Sequence, residues 1–264
     1  MTTGSGNLPL LQDKVAIVTG STKGNGRAIA EIFSEQGANV VVVGRDEKLL
    51  VEVTENIKQK FNTHPLGFRA DITSKDDIAN MIKAAVKEYG GHIDILVNNA
   101  GYPIQNQLWD EPFINLSEES LKKVMEVDTL GTFRCCIGVL PIMIKQKTGG
   151  VIINISSTPA IAGYDKGAPY TIAKSAILGI TRHVAKEYGK YNIRCNTIAP
   201  GSIATETNWD RLTKEQRDDL ISGIPLGRPG KAEDIAGVSL MLASKYCEFI
   251  NGQIIVVDGG EVTM

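Results

Sequence analysis

The chain has 264 residues, long for a single domain but within reach of one large α/β unit. A content of 42% hydrophobic and 22% charged residues is ordinary for a globular protein and excludes a disordered or low-complexity chain. The formal net charge of −2 leaves no basic excess to grip a phosphate backbone, so nucleic acid is not an expected partner.

The start of the chain, MTTGSGNLPLLQDK, lacks the basic and apolar regions of a secretory leader, and residues 1–10 read as a flexible lead-in to one domain spanning 11–264. The longest apolar runs, such as 40–43 and 151–153, fall far short of the ~18 residues that a membrane span needs, so no membrane association is expected. Strand-like runs follow at 15–19, 40–43, 66–70, 93–97, 151–155, 193–198 and 254–257. Several are continuously apolar, as strands covered on both faces are. Helical stretches lie between them at 27–36, 47–61, 76–89, 118 to about 145, 170–188 and 233–242. Gly37 and Gly189 stand where glycine ends a helix, and Ser74 with Asp77 reads as a capping box. Such alternation predicts an α/β fold: a single Rossmann-type, doubly wound domain whose seven-stranded parallel sheet is flanked by helices. Ligands then sit beyond the carboxyl ends of the strands. Cys135, Cys136, Cys195 and Cys247 form no CxxC pair and no cluster with His64, His92 or His183, so no metal site is expected. Free thiols of this kind predict a reducing, cytoplasmic setting.

The loop after the first strand reads Thr19-Gly20-Ser21-Thr22-Lys23-Gly24-Asn25-Gly26 and opens a helix. Its glycines let backbone turn tightly against a pyrophosphate, whose charge the helix N-terminus favours. The residues Gly20 to Gly26 are therefore candidates to hold a dinucleotide. A carboxylate at the end of the second strand would repel a 2′-phosphate. Here Gly44 and Arg45 stand instead, with Lys23 nearby in the loop, and this pair of cations favours NADP(H). Asp71, with Ile72 beside it, ends the third strand where the adenine would lie.

Five motifs then recur in order: TGSTKGNG at 19–26, NNAG at 98–101, ISS at 155–157, YTIAK at 170–174 and APG at 199–201. On these the chain resembles the short-chain dehydrogenase/reductase family, essentially from 11 to 260. Tyr170 and Lys174, four apart, share one helix face. A nearby ammonium favours a phenolate, which suits a tyrosine to proton transfer with a carbonyl or alcohol. The resemblance implies that Lys174 also holds the nicotinamide ribose and that Ser157 orients the carbonyl, with Ser156 the alternative if the register slips by one. It further implies cofactor contacts from Asn98, Ala100, Gly101, Pro200, Gly201, Ile203 and Thr205, and structural roles for Asp94 and Asn196. It also implies a homotetramer built on the two long helices and the last strand.

One departure stands out. Many members of the family carry Asn in the helix before the catalytic strand, where this chain has Asp128. An ionised Asp128 would stabilise the Lys174 ammonium, and a protonated one could donate as an amide does. In this respect the chain is similar to the 2,4-dienoyl-CoA reductases, which reduce a conjugated C=C with NADPH. Substrate selection is expected in segments 102–116, with Trp109, Pro112 and Phe113, and 202–224, with Thr207, Trp209 and Arg211. These long stretches read as irregular lids, with Arg211 or the nearby Arg228 an anchor for an anionic handle such as CoA phosphate. The expected activity is hydride transfer between NADP(H) and a carbonyl or secondary alcohol, with 3-oxoacyl thioesters of CoA or a carrier protein the favoured substrates. Dienoyl reduction and sugar or other secondary-alcohol oxidation are the alternatives, and a non-catalytic nucleotide sensor the remote one.

Overall fold

The computed structural model describes residues 9–103, 106–206 and 208–263. Its main sheet contains β1 (Val15–Thr19), β2 (Asn39–Gly44), β3 (Leu66–Arg69), β4 (Ile95–Asn98), β5 (Gly150–Ile155), β6 (Ile193–Pro200) and β9 (Ile254–Val257). The order is β3-β2-β1-β4-β5-β6-β9 and every pairing is parallel. The seven predicted strands are these seven. Strand order reverses between β1 and β4, which places a crevice at their carboxyl ends.

Side-chain alternation along each strand supplies two cores. Ala16, Val18, Val40, Val42, Ile95 and Val97 meet α1 (Gly24–Glu35), α2 (Glu47–Lys60) and α10 (Ala232–Ala243) through residues such as Phe33, Ile57 and Ile235. Ile17, Val41, Val43, Leu96 and Ile152 point the other way, onto α3 (Lys75–Glu88), α6 (Thr132–Gln146) and α8 (Ala168–Tyr188) through Met81, Val139 and Val184. Both faces are therefore dry, which explains why these strands read as unbroken apolar runs. All four cysteines are free and buried, and burial drives the Cys135 and Cys136 thiols well above their ordinary value, so they stay protonated.

Buried polar side chains tie the central strands together. Asn98 Nδ2 donates to Asn154 Oδ1 (2.8 Å), Asn154 Nδ2 donates to Thr181 Oγ1 (2.8 Å), and Thr181 shares a hydrogen bond with Thr197 (2.7 Å). This chain of bonds links β4, β5, α8 and β6 beneath the crevice. Elsewhere, Asp94 takes the Val15 N–H and pairs with Lys14, while Asn196 bridges to Ile250 and Gln253, both bracing contacts.

Several local expectations are corrected. Gly37 ends α1 with φ +87°, but Gly189 is right-handed (φ −55°) and the chain continues through a 3-10 turn, Gly189–Tyr191, to Asn192 at φ +59°. Ser74 accepts from the Asp77 N–H, whereas the Asp77 carboxylate reaches the Asp71 N–H instead, so only half of the capping box forms. The expected helix from 118 to about 145 is three pieces: α5 (Glu118–Met125), a π turn (Glu126–Gly131) and α6. Leu10, assigned to the lead-in, packs against the core and donates its N–H to Gln36. Glu118–Gln146 is, among the described residues, the one helical stretch long and apolar enough to cross a bilayer by composition, and half of its apolar window is buried inside the protein.

The two substrate segments are more ordered than expected. Segment 102–116, where residues 104 and 105 lie outside the described ones, carries α4 (Asn106–Asp110) and a 3-10 turn, Phe113–Asn115. Segment 202–224 carries β7 (Ile203–Ala204), a 3-10 turn at Trp209–Arg211 and α9 (Lys214–Ser222), and β7 pairs with β8 (Gly230–Lys231); Thr207 lies outside the described residues. Capping explains α9: Thr213 and Gln216 bond reciprocally across its first turn. Arg228 binds Asp234 through its two terminal guanidinium nitrogens (2.8 and 3.2 Å).

Candidate active site

The glycine loop leaves β1 and enters α1, whose N-cap residue, Lys23, makes no side-chain cap bond. Room there is tight by construction. A Cβ on Gly26 would collide with the Gly20 carbonyl and the Asn99 amide, so only glycine lets the helix start this close to the strand. Asn99 Nδ2 donates to the Thr19 and Gly20 carbonyls (3.0 Å each), fixing the loop's shape. Asn99 was missed in the sequence as a loop-holding side chain, although it is the second residue of NNAG. Asn98, its neighbour, is buried in the interstrand chain of bonds, while the Ala100 N–H binds Thr19 Oγ1 (3.1 Å). Ser21 turns inward: its N–H and hydroxyl are held by strands β1 and β2 (Ser21 Oγ to the Val18 carbonyl, 2.7 Å), so it supports the loop from below. Thr22 lies against Gly44, Asn25 Oδ1 is buried without a donor, and Lys23 is exposed.

A carboxylate already occupies the helix N-terminus, since Glu206 Oε1 accepts from the Gly24 N–H at 2.9 Å. Thr205 packs its methyl against Gly24, and Ile203 is buried beneath. A carboxylate accepted on that N–H, where a glycine-rich strand-to-helix turn opens α1, fits a site for a dinucleotide pyrophosphate. At the adenosine end, Arg45 Nη1 stands 3.8 Å from Asp71 Oδ2 and both are solvent-accessible. Partial burial raises the Asp71 carboxyl, but bonds from the Thr73 N–H and hydroxyl and the Arg45 charge outweigh it, so the group sits below its ordinary value. Ile72 is buried against Gly131 of the π turn. Gly201 donates its N–H to Val257, and the Pro200 carbonyl accepts from the Thr158 N–H.

At the carboxyl end of β5, Ser156 and Ser157 face different ways. Ser156 Oγ donates to the Lys174 backbone carbonyl (2.9 Å) and is buried under α8. Ser157 Oγ donates to the Pro200 carbonyl (3.3 Å). One helix turn separates Tyr170 from Lys174, and the ammonium lies 5.5 Å from the tyrosine ring centroid. Lys174 Nζ donates to the Ile155 carbonyl (3.2 Å) and stands 3.8 Å from Asp128 Oδ1.

Asp128 is wholly buried, and its Oδ1 also accepts the Tyr102 N–H (2.8 Å), while Oδ2 has no partner. Burial raises this carboxyl above its ordinary value, the Lys174 charge and the Tyr102 N–H opposing it only in part. The π turn carries Asp128, and such turns often mark functional sites. A Cβ on Gly101 would lie 2.9 Å from Asp128 Oδ1 and 3.5 Å from Lys174 Nζ, so the NNAG backbone closes this cluster from above. Tyr170, Lys174 and Asp128 are therefore brought together, and Ser157 follows two residues after Ile155, whose carbonyl Lys174 binds. Of the segment aromatics, Trp109 reaches Tyr170, whereas Phe113 is largely exposed and Trp209 lies under Arg217.

Residues 20–261 match the family model described as "Enoyl-(Acyl carrier protein) reductase". The chain belongs to the short-chain dehydrogenase/reductase family. It is 36% identical over 255 residues to the 3-oxoacyl-(acyl-carrier-protein) reductase of Thermotoga maritima, covering 96% of this chain and 99% of that protein. Against the 2-dehydro-3-deoxy-D-gluconate 5-dehydrogenase of Escherichia coli it is 36% identical, with 95% and 96% covered. A solved structure described provisionally as a gluconate dehydrogenase, from Agrobacterium tumefaciens, superposes with a TM-score of 0.89 at 30% identity over 97% of this chain and 99% of that one. The protein is an oxidoreductase of this family, and its family implies a nicotinamide cofactor.

Proposed function

We propose that the chain is an NADP(H)-dependent carbonyl reductase whose favoured substrates are 3-oxoacyl thioesters. The observation that carries this is Tyr170 on α8 with Lys174 one turn behind it, pinned between the Ile155 carbonyl and Asp128. Bound NADPH supplies the hydride. Ser157 hydrogen-bonds the substrate oxygen and holds the carbonyl towards the cofactor face. As negative charge develops on that oxygen, the Tyr170 hydroxyl gives it a proton and an alcohol results. The Lys174 ammonium favours the tyrosinate left behind and binds the ribose hydroxyls. In the oxidative direction the same phenolate removes the alcohol proton.

Glycines 20, 24 and 26, with Thr22, Asn25 and the Ala100–Gly101 backbone, would cradle the dinucleotide. Asp71 would lie beside the adenine, and Pro200, Gly201, Ile203 and Thr205 beside the nicotinamide. Preference for the 2′-phosphate rests on Arg45 and Lys23, with no carboxylate at Gly44. Cytoplasmic placement rests on four free, buried thiols. A second reading, reduction of a 2,4-dienoyl thioester, is favoured by one observation, the buried Asp128 paired with Lys174. NADPH oxidation with 3-oxooctanoyl-CoA and a matched 2,4-dienoyl-CoA in parallel decides between them. Turnover of the oxoacyl compound alone is expected, and turnover of the dienoyl compound alone overturns the ranking.

A further inference from the structure

Trp109 is built into the structure beside the reacting tyrosine. Its ring meets Tyr170 edge to face, with centroids 5.9 Å apart and planes at 64°, and lies 5.6 Å from Tyr164. Two bonds hold α4 to the turn just before α8: the Gly167 N–H donates to the Trp109 carbonyl (2.8 Å), and Lys166 pairs with Asp110 (3.0 Å). Gly167 completes the fit. It adopts φ +64°, and a Cβ there would stand 2.5 Å from the indole, so the ring occupies space that any other residue would take. Beside Tyr170 this leaves a small hollow, open to solvent on one side and lined by Tyr102, Leu108, Trp109, Val124 and Pro169. None of these described lining side chains is a carboxylate, an amide or a guanidinium. Sugar hydroxyls entering the hollow would lose water with only the Tyr102 and Tyr170 hydroxyls and the Trp109 indole N–H to replace it, whereas a hydrocarbon group gains burial.

We propose that Trp109 is a specificity-determining residue: its indole forms one wall of an apolar slot at Tyr170 that takes the hydrocarbon group next to the reacting carbonyl. This rests on the reading of Tyr170 as the proton donor to that carbonyl. Each methylene seated against such a wall is worth several-fold in kcat/KM, so the enzyme prefers 3-oxooctanoyl-CoA to acetoacetyl-CoA.

The test compares these two thioesters in the wild type, Trp109→Phe, Trp109→Ala and Gly167→Ala, with NADPH affinity measured by nucleotide fluorescence. Trp109→Ala should lower the long-to-short ratio of kcat/KM by tenfold or more, mainly through KM of the longer substrate, and leave NADPH affinity unchanged. Trp109→Phe should restore most of the ratio, and Gly167→Ala should reproduce the alanine variant by expelling the ring. An unchanged ratio, or an equal loss on both thioesters, overturns the proposal. Because the chain holds two tryptophans, Trp209→Phe leaves Trp109 as sole reporter. Titration of that protein with 3-hydroxyoctanoyl-CoA should alter its emission where acetyl-CoA does not, and identical responses overturn the proposal without any turnover. A wild type that reduces neither oxoacyl compound refutes the carbonyl-reductase reading, while this titration still reports on the slot.

Discussion

Burial of Asp128 with one oxygen unpartnered makes its charge costly, and the Lys174 ammonium offsets that cost only in part. The folded protein therefore holds the carboxyl proton more tightly than the unfolded chain does. Stability from this group is fully present below the ordinary carboxylate value of about 4 and is lost as pH rises through the higher folded value. Asn in its place keeps an oxygen for the Tyr102 N–H and never ionises. Asp128→Asn should gain thermal stability relative to the wild type as pH rises from 4 to 8, by a few degrees at the upper end. Melting curves across that range check it, and parallel profiles for the two proteins would contradict the assignment of cost to this carboxylate.

At the N-terminus of helix α1 the N-cap residue Lys23 makes no side-chain bond, and the carboxylate of Glu206 sits on the Gly24 N–H instead. A dinucleotide pyrophosphate must displace that carboxylate, and its charge opposes the incoming phosphates. Glu206→Gln should tighten NADP(H) binding several-fold at low salt, with the gain shrinking as salt screens the repulsion. Fluorescence titration measures this; weaker or unchanged binding would mean that Glu206 leaves the helix end at no cost. The contact also marks a limit of sequence reading. The strands were legible because both faces are dry, and Tyr170 with Lys174 because helix spacing alone puts them on one side. Glu206 lies 182 positions from Gly24, and the Asn98–Asn154–Thr181–Thr197 chain joins four elements, so no local pattern reveals either. The π turn escaped for another reason: its apolar spacing continues that of α5 and α6. Trp109 was legible as a candidate, but its seat depended on Gly167, whose left-handed backbone only the fold displays.

Across the whole molecule, α6 and the turn before it expose Leu130, Phe133 and Ile137, each between 39 and 50% accessible, on one helix face. Strand β9 closes the sheet as an edge with half-buried Ile and Val. Apolar surface of this kind fits a second copy of the chain, the kind of contact that the homotetramer implied by the family resemblance would need. Phe133→Glu combined with Ile137→Glu should give a smaller species by size-exclusion with light scattering while circular dichroism is retained. A monomeric wild type, or an intact tetramer in the double variant, would contradict assembly through this face.

The proposed reaction turns on the proton held by one hydroxyl. Tyr170→Phe keeps the ring against Trp109 and Lys174 and removes only that hydroxyl. With NADPH and 3-oxooctanoyl-CoA, turnover should fall by about 10²- to 10⁴-fold while NADPH affinity stays at the wild-type value. Near-wild-type turnover with intact NADPH binding would contradict proton transfer by Tyr170.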